Sequence, residues 1–133
     1  MKNLIIMAAG ASSRMKKSLD QVNLSSDVLQ VAISQHKSLI PIDKSGNSLL
    51  FYLCANAKQA GYDSIYLLTS PNNKPFNDWI EKYNSKSELK GVKFFVAVQK
   101  IPDNRIKPLG TADGIQQVLD QFPKLLTQRF TVC

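Results

Sequence analysis

Metal-binding side chains are scarce in this chain. One histidine, His36, and two cysteines, Cys54 and Cys133, among 133 residues give neither a zinc spacing nor a disulfide framework. Cys54 falls in a helical pattern, where cysteine reads as a small packed hydrophobe, and a reducing cytoplasm is the simplest compartment. Long apolar runs are missing too. None reaches the roughly 20 residues that cross a bilayer, so a soluble, cytoplasmic protein without membrane contact is expected. Two phosphate-binding fingerprints are absent: no Gly-Lys-Ser/Thr closes a Walker A loop, and Gly-x-Gly-x-x-Gly does not occur. Acidic residues are outnumbered, 10 against 17 lysines and arginines, for a net charge of +7. That balance favours anionic partners. The cations are scattered and form no block, which points away from nucleic acid and toward phosphorylated small molecules. The length suits one domain with a modest core, and an apolar share of 44% gives no sign of disorder.

What is present is organised around Asn3 to Met15, N-L-I-I-M-A-A-G-A-S-S-R-M. Leu4 to Met7 is apolar on both faces, as befits a central strand of a parallel sheet covered on both sides. Ala8, Ala9 and Gly10 then shrink the side chains so that a turn can approach a ligand closely, with Gly10 free to take dihedrals closed to other residues. Amide groups of Ala11, Ser12 and Ser13 can face an anion there, with the Arg14 guanidinium as a forked donor. The alternative is a plain strand-to-helix turn with an exposed arginine. A secretory signal is disfavoured, because the run is short and Arg14, Lys16 and Lys17 follow at once.

Lys16 to Gln35 is part helical, with Ser25 or Ser26 capping before Asp27. Lys37 precedes the apolar segment Ser38 to Ile42 and either reaches the Gly10 loop as a point charge or is an exposed lysine. His36 reads as a surface or neighbouring side chain. After a turn at Asp43 to Asn47, Ser48 to Ala60 places Leu49, Leu50, Leu53 and Ala57 on one helical face and Gly61 at its end. Ser64 to Thr69 is the second strand. Pro75 to Tyr83 is a helix with Phe76, Trp79, Ile80 and Tyr83 at core spacing, where Trp79 is packing and not a stacking platform. Val92 to Val98 is the third strand, and Gln99 at its end either reads a base edge or caps the sheet. Thr111 is a candidate N-cap for a helix over Ala112 to Phe122, with Asp113 in its first turn. Gly114 inside that helix implies close packing or a ligand's approach. A fourth strand starts at Arg129. Alternating strands and helices predict an α/β fold with a mostly parallel sheet, whose ligands bind beyond the carboxyl ends of the strands. Gly10 to Arg14, Gln99, Gly110 and Thr111 all fall there.

Three segments in this order, L-I-I-M-A-A-G-A-S-S-R-M, K-S-L-I-P-I at Lys37 to Ile42 and P-L-G-T-A-D-G at Pro108 to Gly114, resemble the sugar-phosphate nucleotidyltransferase family over essentially the whole chain. The resemblance implies a three-layer, Rossmann-like fold of the nucleotide-diphospho-sugar transferase type, cut off after the fourth strand. It implies transfer of a nucleotidyl group from a nucleoside triphosphate to a sugar 1-phosphate or similar acceptor, releasing pyrophosphate. Ala8, Ala9 and Gly10 would lie against the nucleoside, and Ser12 and Ser13 would offer amides to the phosphates. Arg14 would hold the β- and γ-phosphates, Lys37 would neutralise the transferring phosphate, and Gln99 and Gly110, with Thr111 beside them, would contact the base. Mg²⁺ is expected to bridge the phosphates, its aspartate ligand lying past Cys133, so residues 1–133 would be the nucleotide-binding part without the acceptor-binding part. The long Lys16 to His36 segment departs from the family, as does the serine where many members have a second glycine. The readings from other classes are a non-catalytic nucleotide-sensing module and a basic RNA-binding domain.

Overall fold

The computed structural model describes residues 2–10 and 12–133, apart from the side chains of Ser13, Arg14 and Asp20. The expected adjacency of strands follows from burial. Strand β1 (Asn3–Met7) lies between β2 (Ser64–Thr69) and β4 (Phe130–Val132), and β3 (Lys93–Val98) pairs with the far side of β2. All three pairings are parallel, with Ile5 opposite Tyr66 and Val132, and Tyr66 opposite Phe95. Side chains alternate across this sheet. Leu4 and Ile6 of β1 and Ile65 and Leu67 of β2 enter one core, and Ile5, Tyr66 and Leu68 enter the other. Both faces are therefore buried, which is why these strands read as continuous apolar runs. Leu67 and Leu68, each fully buried, contribute about 1.5–3 kcal/mol apiece by leaving water.

The first core is closed by α3 (Leu49–Gln59) and α4 (Lys74–Tyr83). The Ser48 hydroxyl accepts from the Phe51 amide at 3.4 Å and starts α3. Its end is closed by Gly61 N–H to Lys58 O at 2.9 Å and Tyr62 N–H to Ala57 O at 3.0 Å, a Schellman pattern. The buried face of α3 is Leu50, Phe51, Cys54 and Ala57. Leu49 was expected in that face and is instead 52% exposed: the helix begins at Leu49 and turns its first residue outward. Trp79 is core, stacked on Tyr83 at 5.0 Å, with its indole N–H donating to the Ser48 hydroxyl at 3.2 Å. Burial pushes the Cys54 thiol up to about 12, in keeping with a packed, inert cysteine.

The second core is closed by α5 (Thr111–Gln121). The helix starts one residue earlier than expected, and Thr111 is not its cap. Gly110 holds that position at φ 121 and ψ −172, a backbone region essentially restricted to glycine. Gly114 marks a close approach: a Cβ there would meet Leu68 Cδ2 and Met7 Cε at 2.7 Å and Gln99 Nε2 at 3.2 Å. Close packing, not ligand approach, explains this glycine. Farther along α5, Gln121 accepts from the Val98 amide at 3.0 Å and donates to the Val98 carbonyl at 2.9 Å. Gln117 does the same for Lys100 at 2.7 and 3.1 Å. These amides stand in for the next strand along the open side of β3 and blunt an exposed edge.

Two short helices, α1 (Ser13–Ser18) and α2 (Ser26–Ser34), fill the long connection between β1 and Lys37. Ser25 is the N-cap residue of α2 and Asp27 lies in its first turn, but the Ser25 side chain makes no capping bond. No helix among the described residues is long and apolar enough to cross a membrane. Gly114→Val is expected to overpack the contact with Leu68 and Met7 and to destabilise the fold by about 1–3 kcal/mol, read as a lower urea midpoint at unchanged slope.

Candidate functional site

The loop after β1 is still tied to the sheet when it begins. The Met7 amide donates to Cys133 O at 2.9 Å and the Ala8 amide to Leu68 O at 2.8 Å. Ala8 is buried, Ala9 is half-buried against the α5 core, and Gly10 is exposed. The left-handed residue of this loop is Ser12, at φ 54 and ψ 27, and not Gly10. Ser12 is the only non-glycine at positive φ among the described residues. Such a conformation costs about 1–2 kcal/mol for an L-residue, and a strained loop that persists is held by its surroundings. The Ala11 amide lies outside the described residues, as do the Ser13 and Arg14 side chains.

What holds the loop is the dipeptide His36-Lys37. The His36 Nε2 lies 2.8 Å from the Gly10 carbonyl oxygen, and Nδ1 accepts from the Ser38 amide at 3.3 Å. Because a carbonyl only accepts, these contacts fix the neutral ring with its proton on Nε2. The next residue continues the clamp: the Lys37 amide donates to the Ser12 hydroxyl at 3.4 Å, and the Lys37 side chain is exposed. Phe76 of α4 packs edge-on against the imidazole at 5.2 Å. Burial pushes the His36 pKa below its ordinary value; the Gly10 carbonyl opposes this, and Lys37 and Lys16 reinforce it. From the sequence His36 reads only as a surface or neighbouring side chain. Its one signal in the sequence is adjacency to Lys37.

The other half of the site lies where β3 ends. The Gln99 amide N–H continues the ladder to Thr69 O at 2.8 Å, and its side chain is 4% exposed. The side-chain nitrogen donates to Asp113 Oδ2 at 3.2 Å and, at 3.5 Å, to Gly110 O. Asp113 also accepts from Gln117 at 2.9 Å. Thus Gln99 and Gly110 are brought together by α5, while Thr111 is exposed in its first turn. The contacts facing Gly114 join the halves, since Met7 ends β1 and Gln99 follows β3. Ala8 to Gly10, Ser12, Lys37, Gln99, Gly110 and Thr111 therefore share the carboxyl rim of the sheet. The described residues contain no group of three His, Cys, Asp or Glu side chains placed for a metal ion, and Asp113 is engaged by two glutamines. They do not fit a magnesium site of their own.

Two clefts open elsewhere. One, of about 350 Å³, runs between the segment after α2 and helix α4, with His36, Trp79 and Tyr83 in its wall. The other, of about 820 Å³, sits at the amino end of the sheet by Asn3, Tyr62 and Phe130.

No family model and no curated protein matches the chain. The fold is similar to the crystal structure of UDP-glucose pyrophosphorylase complexed with UDP-glucose, with a TM-score of 0.67 and 19% sequence identity. The match covers 99% of this chain and 44% of that one, so the chain spans less than half the length of its structural relative. The four-stranded parallel sheet and its covering helices thus share the α/β fold of that structure.

Proposed function

We propose that this chain supplies the triphosphate pocket of a nucleotidyltransferase that couples a nucleoside triphosphate to a sugar 1-phosphate or similar phosphate acceptor. The observation that carries the reading is the clamp between two motif segments: Lys37 N–H on the Ser12 hydroxyl beside His36 on the Gly10 carbonyl. It puts a cation-bearing turn against the tight bend of small residues at the open rim of a parallel sheet, where such folds bind nucleotides. In this reading Ala8, Ala9 and Gly10 face the nucleoside, the Ser12 and Ser13 amides face the phosphates, and Arg14 grips the β- and γ-phosphates. Lys37 neutralises the α-phosphate. Gln99, whose side chain is pre-positioned by Asp113, reads the base together with Gly110, and Thr111 lies next to them.

The reaction asks little covalent chemistry of the protein. An oxygen of the acceptor phosphate attacks the α-phosphorus, the bond from that phosphorus to the bridging oxygen breaks, and pyrophosphate leaves with the electron pair. Positioning and charge neutralisation supply the rate enhancement. Magnesium would arrive with the triphosphate, and the acceptor would be held by a part of the enzyme outside these residues.

Calorimetry with the magnesium salts of ATP, GTP, CTP and UTP tests this. One of the four is expected to bind in the micromolar range, about −8 kcal/mol. Arg14→Ala and Lys37→Ala should each weaken it about 10- to 100-fold, the worth of a hydrogen bond to a charged group. Steeply salt-dependent binding of any RNA with no triphosphate preference overturns the reading. Tight triphosphate binding without pyrophosphate release in the acceptor-competent protein would mark a nucleotide-sensing module instead.

A further inference from the structure

We infer that His36 is a positioning residue that latches Gly10 and Ser12 after β1 in a phosphate-facing shape, an inference that rests on the triphosphate reading above. The bend contains the strained Ser12, and a strained turn at the open rim relaxes unless something holds it. Two contacts from adjacent residues do so, on either side of residue 11. The imidazole Nε2–H holds the Gly10 carbonyl at 2.8 Å, and the Lys37 amide holds the Ser12 hydroxyl at 3.4 Å. The ring is itself fixed from its other sides. Nδ1 accepts from the Ser38 amide at 3.3 Å and lies 2.8 Å from the Ser38 hydroxyl, and Phe76 buttresses the ring face at 5.2 Å. Occupying the Gly10 carbonyl also keeps a carbonyl lone pair from competing for the amides meant for phosphate. His36 touches no reacting atom in this arrangement. It sets the shape of the loop that does.

The two ring nitrogens have separable jobs, and two substitutions separate them. Asparagine places its oxygen near Nδ1, so His36→Asn keeps the bond to the Ser38 amide but loses the Gly10 bond. Glutamine places its amide nitrogen near Nε2, so His36→Gln keeps the Gly10 bond. The triphosphate that binds the unmodified chain is expected to bind His36→Asn about tenfold more weakly, with the urea midpoint close to that of the parent, and to recover to within about threefold in His36→Gln. Equal affinity in all three proteins, or no recovery in His36→Gln, overturns the latch while leaving the triphosphate pocket standing. Hydrogen exchange of the Gly10 and Ser12 amides, read without nucleotide, decides the latch on its own. It should quicken in His36→Asn and return in His36→Gln, and unchanged exchange overturns it. If the parent chain binds none of the four triphosphates, the pocket falls by a separate result.

Protonation gives a further readout, simple because the chain has one histidine. Burial, and after it the cations Lys37 beside the ring and Lys16 of α1, outweigh the bond to the Gly10 carbonyl, so its folded pKa lies below the ordinary 6.5. The unfolded chain then takes up a proton first as pH falls. The contribution of His36 to stability should be complete above pH 6.5 and decline as pH drops from there through the folded value. The His36 ring signals in an NMR titration should show the Nε2–H tautomer and a midpoint below 6.5. A freely titrating histidine at 6.5 or above overturns the latch.

Discussion

The structure depends on one constraint: β1 has a strand on each side and an apolar layer on each face. Its amides and carbonyls pair with β2 and β4, and its side chains divide between two cores. A strand so enclosed can leave the sheet in one direction only, past the ends of its neighbours. The bonds of Met7 to Cys133 and Ala8 to Leu68 carry the pairing past the end of β1, so the loop leaves the sheet ladder at Ala9 and Gly10. A loop that starts this abruptly at a rim has little freedom in where its amides point, which is what anion recognition by backbone requires.

The same rim is reached by α5 through a close contact, not through a functional side chain. With no Cβ at Gly114, the helix settles against Leu68 and Met7, and its first turn then brings Asp113 to Gln99 and Gly110 beside it. Its far end spends two glutamines on the backbone of Val98 and Lys100. One helix therefore covers a core, blunts the edge of β3 and aims the amide of Gln99. These roles are coupled because a rigid helix transmits a shift at Gly114 to both ends.

Much of this was legible in the sequence, for identifiable reasons. The apolar run at Leu4–Met7 announced a strand covered on both faces, Ser64–Thr69 read as the second strand, and Phe76, Trp79 and Tyr83 at helical spacing announced the face of α4. Caps were less legible. Ser25 does sit at the N-cap of α2, without a side-chain bond, but Thr111 lost the N-cap of α5 to Gly110, whose backbone conformation no serine or threonine adopts cheaply. Leu49 was misplaced because a helix's first residue can turn either way. Gly10 has the freedom to take a left-handed conformation, yet the positive φ falls on Ser12, where tertiary contacts override preference. His36 escaped for a related reason. Its bond to Gly10 spans 26 positions, and no local pattern in a sequence announces a contact set by the path of the long segment between.

His36 also reports on the electrostatics of the rim. Besides burial, the pull that lowers its pKa comes from two lysines, the neighbouring Lys37 and Lys16 of α1. A neutral imidazole is thus a local gauge of positive potential beside the bend. Asp113, the carboxylate that could offset that potential at the rim, has its charge directed into Gln99 and Gln117. The cations are left facing solvent and the acid is turned into the protein's own amides. That asymmetry leaves a local positive potential of the sign that attracts an anion. On the proposed reading, an anionic ligand at the rim would meet uncompensated lysines and, among the described residues, no competing carboxylate.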